Sequence, residues 1–557
     1  MLRTLTPRAP CLALFRAGRP VDPFQPPSGA AQANDVGPAP FTPAESMSTI
    51  VLSTLNARYA HASLGLRYLA ANMGALKPRT QVIEFTIDQR PMDVVERLLA
   101  HRPAIIGLGV YIWNVDASTQ VVRLLKAVAP HVVVVLGGPE VSHEAETQAI
   151  VAAADYVITG PADVAFHDLC HRILSGSAPE ERILAAASVA LQDLSLPYAE
   201  YTDQDIAHRL IYVEASRGCP FKCEFCLSSL DREVLPFPLA AFLDQMEDLY
   251  RRGVRQFKFV DRTFNLKVGT SVAILEFFLA KKDVFVHFEL VPDRLPDRLK
   301  AVIRQFPPGS LQFEIGIQSF NPAVQTLISR RQDNEKTEEN LRWLRAETQA
   351  HLHTDLIVGL PGEDTASFAA GFNRLLALKP HEIQVGILKR LRGTPISRHV
   401  EPFGLRFNPD PPYNLLCSDL IDFATLQRLS RFARYWDMIG NSGRFVHSLS
   451  VLVGDDAFDA FLRLSDWLYA RTGQTHRLAA DRLFDLVYQG MVERLRRDEN
   501  ITRQALTRDY LESGLRGAPA FIEPSKLKGR GRGGDPGSRG TPERQVRHGR
   551  SFPLEGD

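Results

Sequence analysis

The sequence is short of several things at once. No window holds the eighteen or more uninterrupted apolar residues of a membrane span, and the apolar run nearest the start, Cys11 to Phe15, is too brief for a secretion signal. No membrane association is expected, and the cytoplasm is the default location. An excess of either charge is also missing: 65 Lys and Arg stand against 64 Asp and Glu. That balance gives no reason to expect nucleic acid or a polybasic membrane surface as a partner. Cysteine is scarce, six in 557 residues, which excludes a small disulfide scaffold. Apolar residues at 45% and charged residues at 23% are the mix of an ordinary globular chain, one too long for a single core.

Organisation changes along the chain. Residues 1–46 carry nine prolines and no apolar periodicity. They read either as a disordered extension or as sequence upstream of a start at Met47. From 47 to 175, short apolar runs (Ile50–Leu52, Val82–Phe85, Ile105–Leu108, Val132–Leu136, Tyr156–Ile158) alternate with helical stretches such as Ala117–Val128 and Glu144–Ala153. Strand–helix alternation at this spacing predicts a doubly wound, Rossmann-like or flavodoxin-like α/β domain. Its ligand loops lie beyond the carboxyl ends of the strands, at Asn56–His61, Val110–Asn114, Gly137–Glu140 and Gly160–Asp163.

Residues 176–210 read as a linker. From 211 to 400 a second alternation begins, with strands at Tyr212–Ala215, Gln256–Val260, Val286–Leu290, Leu311–Gly316, Thr354–Val358 and Glu382–Ile387. Six β/α units predict a partial TIM-like barrel rather than a second doubly wound sheet. Residues 401–523 read as a mainly helical domain, with helices at Leu420–Ile439, Ala457–Arg471 and Arg482–Arg497. Phe432, Tyr435 and Trp436 fall at helical spacing and are expected in its core. The tail 524–557, rich in Gly and Pro, reads as a solvated low-complexity end.

Three of the six cysteines crowd into eight residues: Cys219-Pro220-Phe221-Lys222-Cys223-Glu224-Phe225-Cys226. In a reducing compartment a crowded set points to a metal site rather than to disulfides. Three thiolates on one loop can converge on one centre. A structural zinc wants four closed ligands, and no nearby His or Cys completes a set. A four-iron cluster held by three thiolates leaves one iron open to substrate.

This spacing, on the loop after the first strand of a six-unit β/α barrel, resembles the radical S-adenosylmethionine (SAM) enzymes. Phe313-Glu314-Ile315-Gly316-Ile317-Gln318-Ser319 and the stretch from Asp355 to Asp364 resemble motifs of the radical enzymes related to the methylthiotransferases and the oxygen-independent coproporphyrinogen oxidases. The resemblance implies that Cys219, Cys223 and Cys226 hold a [4Fe-4S] cluster as catalytic and metal-ligating residues, and that its open iron binds the methionine moiety. Cleavage of the sulfonium then gives a 5′-deoxyadenosyl radical. Glu314, Gln318 and Arg330 are the implied polar contacts to SAM, and Gly359 and Gly362 would let backbone approach the adenine. The segment Asp261 to Asn265 stands where the family presents backbone to the methionine amino group, with Asp-Arg-Thr-Phe-Asn in place of the usual Gly-Gly-Glu.

A doubly wound domain before such a barrel resembles the cobalamin-binding subgroup. Leu136-Gly137-Gly138-Pro139-Glu140 and Ile158-Thr159-Gly160 match the subgroup's positions for contact with the corrin and its nucleotide tail. Asn56, Tyr59 and His61 on the first loop are further candidates. The Asp-x-His-x-x-Gly signature of histidine-ligated cobalamin is missing, since Tyr59-Ala60-His61 lacks the Asp and has Leu64 for Gly, so cobalamin is expected without a protein histidine on cobalt. Leu55-Asn-Ala-Arg-Tyr-Ala-His-Ala-Ser-Leu64, Glu214-Ala-Ser-Arg-Gly-Cys219, Cys226-Leu-Ser-Ser229 and Asn441-Ser442-Gly443 narrow the resemblance to an uncharacterised bacterial group with a C-terminal helical domain of unknown function. The implied activity is a cobalamin-dependent radical methylation of an unactivated carbon in a small molecule, with a flavodoxin or ferredoxin-type electron donor. The alternatives are a cobalamin-assisted radical cyclisation or rearrangement, like that of the magnesium-protoporphyrin monomethyl ester cyclase, and a non-catalytic cobalamin or redox sensor. A methylthiotransferase needs a second cysteine triplet near the N-terminus, and only Cys170 lies between 48 and 210.

Overall fold

The computed structural model describes residues 49–231, 233–523 and the helix 543–550. The expectation for residues 1–46 lies outside the described residues. The first domain is built on six strands: β1 (Ile50–Asn56), β2 (Thr80–Thr86), β3 (Ile105–Gly109), β4 (Val133–Gly137), β5 (Tyr156–Thr159) and β6 (Ile183–Ala185). All pair in parallel, in the order β2-β1-β3-β4-β5-β6. Every residue of β1 is buried, as a strand covered on both faces must be. Helices Pro91–Ala100 and Val115–Val128 cover one face through Val94, Leu98, Val121 and Leu125, while Leu64–Ala71 and Ala165–Leu174 cover the other through Leu66, Ala70, Phe166 and Leu169.

Two expectations need correcting here. The stretch 144–153 is not one helix: Glu144 takes φ +51° and Gln148 is extended, leaving a short turn and then Ala149–Ala153. The Gln148 amide donates to the carbonyls of Glu140 and His143, and this side-chain bond competes with a continuous helix. The linker also contributes structure, because Ile183–Ala185 adds β6 to the sheet. Three residues are too few to show periodicity.

The second domain carries β7 (Ile211–Val213), β8 (Gln256–Phe259), β9 (Phe285–Glu289), β10 (Leu311–Gln318), β11 (His351–Val358) and β12 (Glu382–Ile387). They pair in parallel and in sequence order, from β7 at one edge to β12 at the other, as a partial barrel. Side chains alternate along each strand. Phe257, Phe259, Val286, Phe288, Phe313 and Ile315 are buried in the apolar core. Their neighbours Lys258, His287 and Glu314 meet one another on the concave side, Lys258 on β8 reaching past β9 to Glu314 on β10.

Beyond the barrel, helices Phe423–Met438, Val446–Val453, Ala457–Thr472, Ala480–Gln489 and Glu499–Glu512 share its hydrophobic core. Phe432, Tyr435 and Trp436 are buried, with Phe432 and Trp436 edge-on to Phe372. The described part of the tail departs from the expectation of a solvated end. Glu543–Arg550 is a helix, and Arg544 donates to Asp437 and to the carbonyl of Asn441. Its anchors are polar, so apolar periodicity gives no sign of it. Among the described residues, no helix is long and apolar enough to cross a membrane.

A buried charge cluster joins the first domain to the entry of the second. Glu84 on β2 accepts from Arg67 at 2.9 Å, from Arg209 at 2.5 Å and from the Ser63 amide at 2.6 Å. Arg67 also reaches Asp205, on the helix just before β7, at 2.9 Å. Burial alone would raise the Glu84 carboxyl, but the two guanidinium groups outweigh it and hold it below the ordinary range. The stabilisation is therefore complete above about pH 4.3 and is lost as the pH falls through the lower folded-state value. Glu84→Ala should lower the stability at pH 7 by about 3 kcal/mol, read from urea unfolding midpoints. The gap between wild type and variant should narrow as the pH drops below about 4; a gap that stays constant with pH would contradict this assignment.

Candidate functional site

The cysteine loop leaves β7 and folds over the carboxyl-terminal mouth of the barrel. Cys219, Cys223 and Cys226 all line one cavity of about 260 Å³, and none is in a disulfide. The three sulfurs do not all lie within 4.8 Å of one another. Two sulfurs on one tetrahedral zinc would sit about 3.8 Å apart, from Zn–S bonds of about 2.3 Å. Three thiolates on one cavity wall supply the donor set of a cluster in which each thiolate takes its own iron and one iron stays open. Burial raises the Cys223 thiol, and Arg330, 3.7 Å from the sulfur, acts against it.

Glu224, between two of the cysteines, anchors the loop from behind. It is buried, its carboxylate accepts from Ser329, Arg398 and His399, and its backbone bonds Ile328 and Ile396. Nothing in the sequence analysis singled it out.

Most of the remaining cavity wall comes from β9 to β11 and the loops that follow them. Glu314, Gln318 and Arg330 all line it, as the sequence suggested. Gln318 sits at φ +69°, where the β10–β11 register shifts, and its buried side-chain oxygen has no hydrogen-bond partner. A strained residue presenting an orphan acceptor to a cavity is the mark of a binding position. The segment 261–265 reaches the cavity through Arg262 and Thr263. The Asp261 and Asn265 side chains do not. Asp261 accepts from the Ala215 amide and the Ser216 hydroxyl, and Asn265 bonds the backbone of Val291 on the β9 loop. Gly359 and Gly362 are likewise absent from the wall. Both take positive φ, +86° and +76°, so glycine there answers the backbone conformation, and an added Cβ would meet the ends of the Leu415 and Leu327 side chains.

The strands also carry Lys258, His287, Glu289 and His353, which the sequence analysis did not single out; of these Glu289 lines the cavity, with Asp355. Glu314 lies 3.1 Å from His287 and 3.6 Å from Lys258. Burial would raise it, yet these partners bring it down to about 2. Glu289, 2.7 Å from Arg262, is pushed up to about 7, chiefly by burial and further by Glu314. Two carboxyl groups in one cavity thus hold different protonation states near neutrality. The signal was present in Gln312-Phe-Glu-Ile-Gly-Ile-Gln318, whose every second residue is polar or small.

A second hollow, of about 230 Å³, opens at the carboxyl ends of β3, β4 and β5. Gly137, Gly138 and Gly160 line it, with Gly107, Gly109, Leu66 and Phe166. At Gly138, φ is +110° and a Cβ would lie 2.5 Å from the Val110 carbonyl oxygen, so only glycine fits. At Gly137 a Cβ would meet only the Ile158 oxygen, at 3.8 Å. This small-residue, apolar cradle fits a planar ring system laid against backbone. The other first-domain candidates lie elsewhere. Asn56 donates to Glu84, exposed Tyr59 lies under Arg209, and His61 bonds the Tyr212 hydroxyl at 2.6 Å. Glu140 is buried beneath Arg392 and Tyr413, joining the two domains.

Arg217 ties the two sites together. It lines the second hollow, pairs with Asp163 on the β5 loop at 2.8 Å and with Glu214 at 2.8 Å, and stands two residues before Cys219.

Comparison with known proteins agrees with this division. Residues 50–170 match the B12 binding domain, 213–372 the radical SAM superfamily, and 401–531 a protein family of unknown function, DUF4080. The chain is thus a radical SAM protein with an N-terminal B12-binding domain and a C-terminal domain of unknown function. It is 27% identical over 352 residues to the cobalamin-dependent radical SAM methyltransferase TokK of Streptomyces tokunonensis, covering 56% of this chain and 51% of that protein. It is 28% identical over 194 residues to the ribosomal protein uS12 methylthiotransferase RimO of Pelobacter propionicus, covering 33% of this chain and 43% of that protein. The chain spans about half the length of these curated relatives or less. Its fold is similar to that of the radical SAM methyltransferase TsrM of Kitasatospora setae, with a TM-score of 0.53 and 16% identity over 66% of this chain and 80% of that one.

Glu224→Ala should loosen the cysteine loop although Glu224 does not line the cysteine cavity. In anaerobically reconstituted protein, iron per chain should fall at least twofold, and Glu224→Gln should recover part of it. Iron at the wild-type level in Glu224→Ala would show that the loop holds its shape without this anchor.

Proposed function

We propose that the chain is a cobalamin-dependent radical SAM methyltransferase acting on an unactivated carbon of a small molecule. The observation that carries this reading is the segment Glu214–Cys219, which lines the first-domain hollow through Arg217 and ends in the first cysteine of the barrel cavity. Two cofactor sites are joined by one short, ion-paired stretch, as a transfer between them demands. The cluster would supply reductive cleavage of SAM to a 5′-deoxyadenosyl radical, and cobalamin a transferable methyl group.

The chain's own residues hold and orient. Cys219, Cys223 and Cys226 ligate the cluster. Gln318, Arg330 and the ionised Glu314 bind the polar ends of SAM, and Arg262 fixes Glu289 at the cavity edge. Gly137, Gly138 and Gly160 would admit the flat nucleotide end of cobalamin against the backbone. The polar lining of that hollow is Tyr68, Tyr111, Asp163 and Arg217, which supports cobalt without a protein histidine. Electrons come from a flavodoxin or ferredoxin-type donor. The match to RimO spans a third of this chain, whereas that to TokK spans more than half. Together with the missing second cysteine triplet, this favours methyl transfer over methylthiolation.

The test uses full-length protein reconstituted without oxygen with iron, sulfide and hydroxocobalamin, then given SAM and dithionite. 5′-Deoxyadenosine and S-adenosylhomocysteine are quantified by mass spectrometry. Both should form, both should vanish in Cys223→Ala, and S-adenosylhomocysteine should require cobalamin. Gly137→Leu, which fills the hollow without a backbone clash, should lower cobalamin retention at least tenfold while leaving the iron content intact. Deoxyadenosine alone would favour the cyclase. Neither product above the Cys223→Ala level, with cluster and cobalamin both loaded, would contradict catalysis and leave the sensor.

A further inference from the structure

The far end of the barrel carries a second constellation that radical chemistry does not use. His351 opens β11 and Glu382 opens β12, at the strands' amino-terminal ends and therefore opposite the cysteine cavity. His548, on the tail helix Glu543–Arg550, packs against them. All three are buried, at 6%, 3% and 4% exposure. One ligand atom from each lies within 4.8 Å of the others, the only such trio of His, Cys, Asp or Glu among the described residues.

We propose that His351, Glu382 and His548 form a divalent transition-metal site of the zinc class, which clasps the tail helix onto the amino-terminal mouth of the barrel. The donors suit such an ion. Two imidazoles and a carboxylate are zinc ligands, and three protein donors leave a position for water. His351 Nε2 and a Glu382 oxygen stand 2.9 Å apart, close to the separation of about 3.3 Å expected for neighbouring ligands at about 2.0 Å from one tetrahedral ion.

The surroundings orient each donor as supporting bonds at metal sites do. His548 Nε2 is 3.1 Å from the Asn441 carbonyl, so the proton placed there leaves Nδ1 for a metal. The second Glu382 oxygen is steadied by Arg544 at 3.2 Å and His353 at 3.4 Å. The His351 ring stacks on His381. Asn441 is itself fixed, its side chain bonding both the amide and the carbonyl of Ile383 on β12 at 2.9 Å. This gives the Asn441-Ser442-Gly443 motif a role. Its carbonyls accept from Arg544, Arg547 and His548, making it the platform on which the tail helix lands.

The experiment uses full-length protein carrying its cluster and cobalamin, stripped of loose metal and given excess zinc, then desalted anaerobically. Zinc per chain is measured by mass spectrometry, and its ligands by X-ray absorption at the zinc edge, where iron and cobalt do not interfere. About one zinc per chain should remain, with nitrogen and oxygen neighbours at about 2.0 Å. His548→Ala, a change on the appended helix that leaves the barrel's own packing alone, should lower zinc affinity at least tenfold without changing iron content. Retention below about one tenth of an equivalent would overturn the proposal. So would a sulfur shell near 2.3 Å, which would place the zinc on the cysteines, or a nitrogen and oxygen shell unchanged in His548→Ala.

Discussion

Arg217 holds the two halves of this molecule in working register. Its guanidinium pairs with Asp163 from the first domain and with Glu214 from the end of β7, and it lies over the Tyr68 ring at 4.4 Å. Two residues later the chain reaches Cys219. Any rotation of the first domain against the barrel would break these ion pairs and drag the cysteine loop with them. A partly buried pair of this kind is expensive to break, because it leaves charge without a partner. The Glu84 cluster and the Glu140–Arg392–Tyr413 contact brace the same joint from either side. The joint between the two hollows is therefore braced by ion pairs rather than left as a hinge.

Inside the barrel, alternation does two jobs with one strand. Phe288, Phe313 and Ile315 build the core, while Glu289, Glu314 and Gly316 furnish the cavity. The polar row is costly to bury, and pairing is what makes it tolerable: Glu314 with His287 and Lys258, Glu289 with Arg262, His353 with Asp355 and Glu382. Gln318 has no charged partner of this kind; its side-chain oxygen is unbonded, its φ is +69°, and it lines the cavity.

The sequence made the architecture legible because parallel sheets bury their strands and write them as apolar runs. The cysteine trio was legible because its spacing has few other uses, and Gly137, Gly138 and Gly160 because a cradle needs backbone without side chains. What stayed hidden depends on partners far apart in the chain. Glu140 looked like a ligand-loop residue until Arg392 and Tyr413 were found on it. Asp261 looked like a SAM contact until its carboxylate was seen bracing the start of the cysteine loop. Glu224 gave no sign of anchoring that loop, since its partners lie about a hundred residues or more away. His351, Glu382 and His548 share no motif, and the tail helix that supplies the last of them has no apolar stripe to reveal it.

The central claim is that the cysteine-held centre and the B12-side hollow serve one space. It is tested most directly by electron paramagnetic resonance on protein carrying both a reduced cluster and cob(II)alamin. The account predicts that each centre broadens and speeds the relaxation of the other, as neighbouring spins do. A spectrum that is the plain sum of the two centres measured singly, in protein shown to hold both, would contradict it.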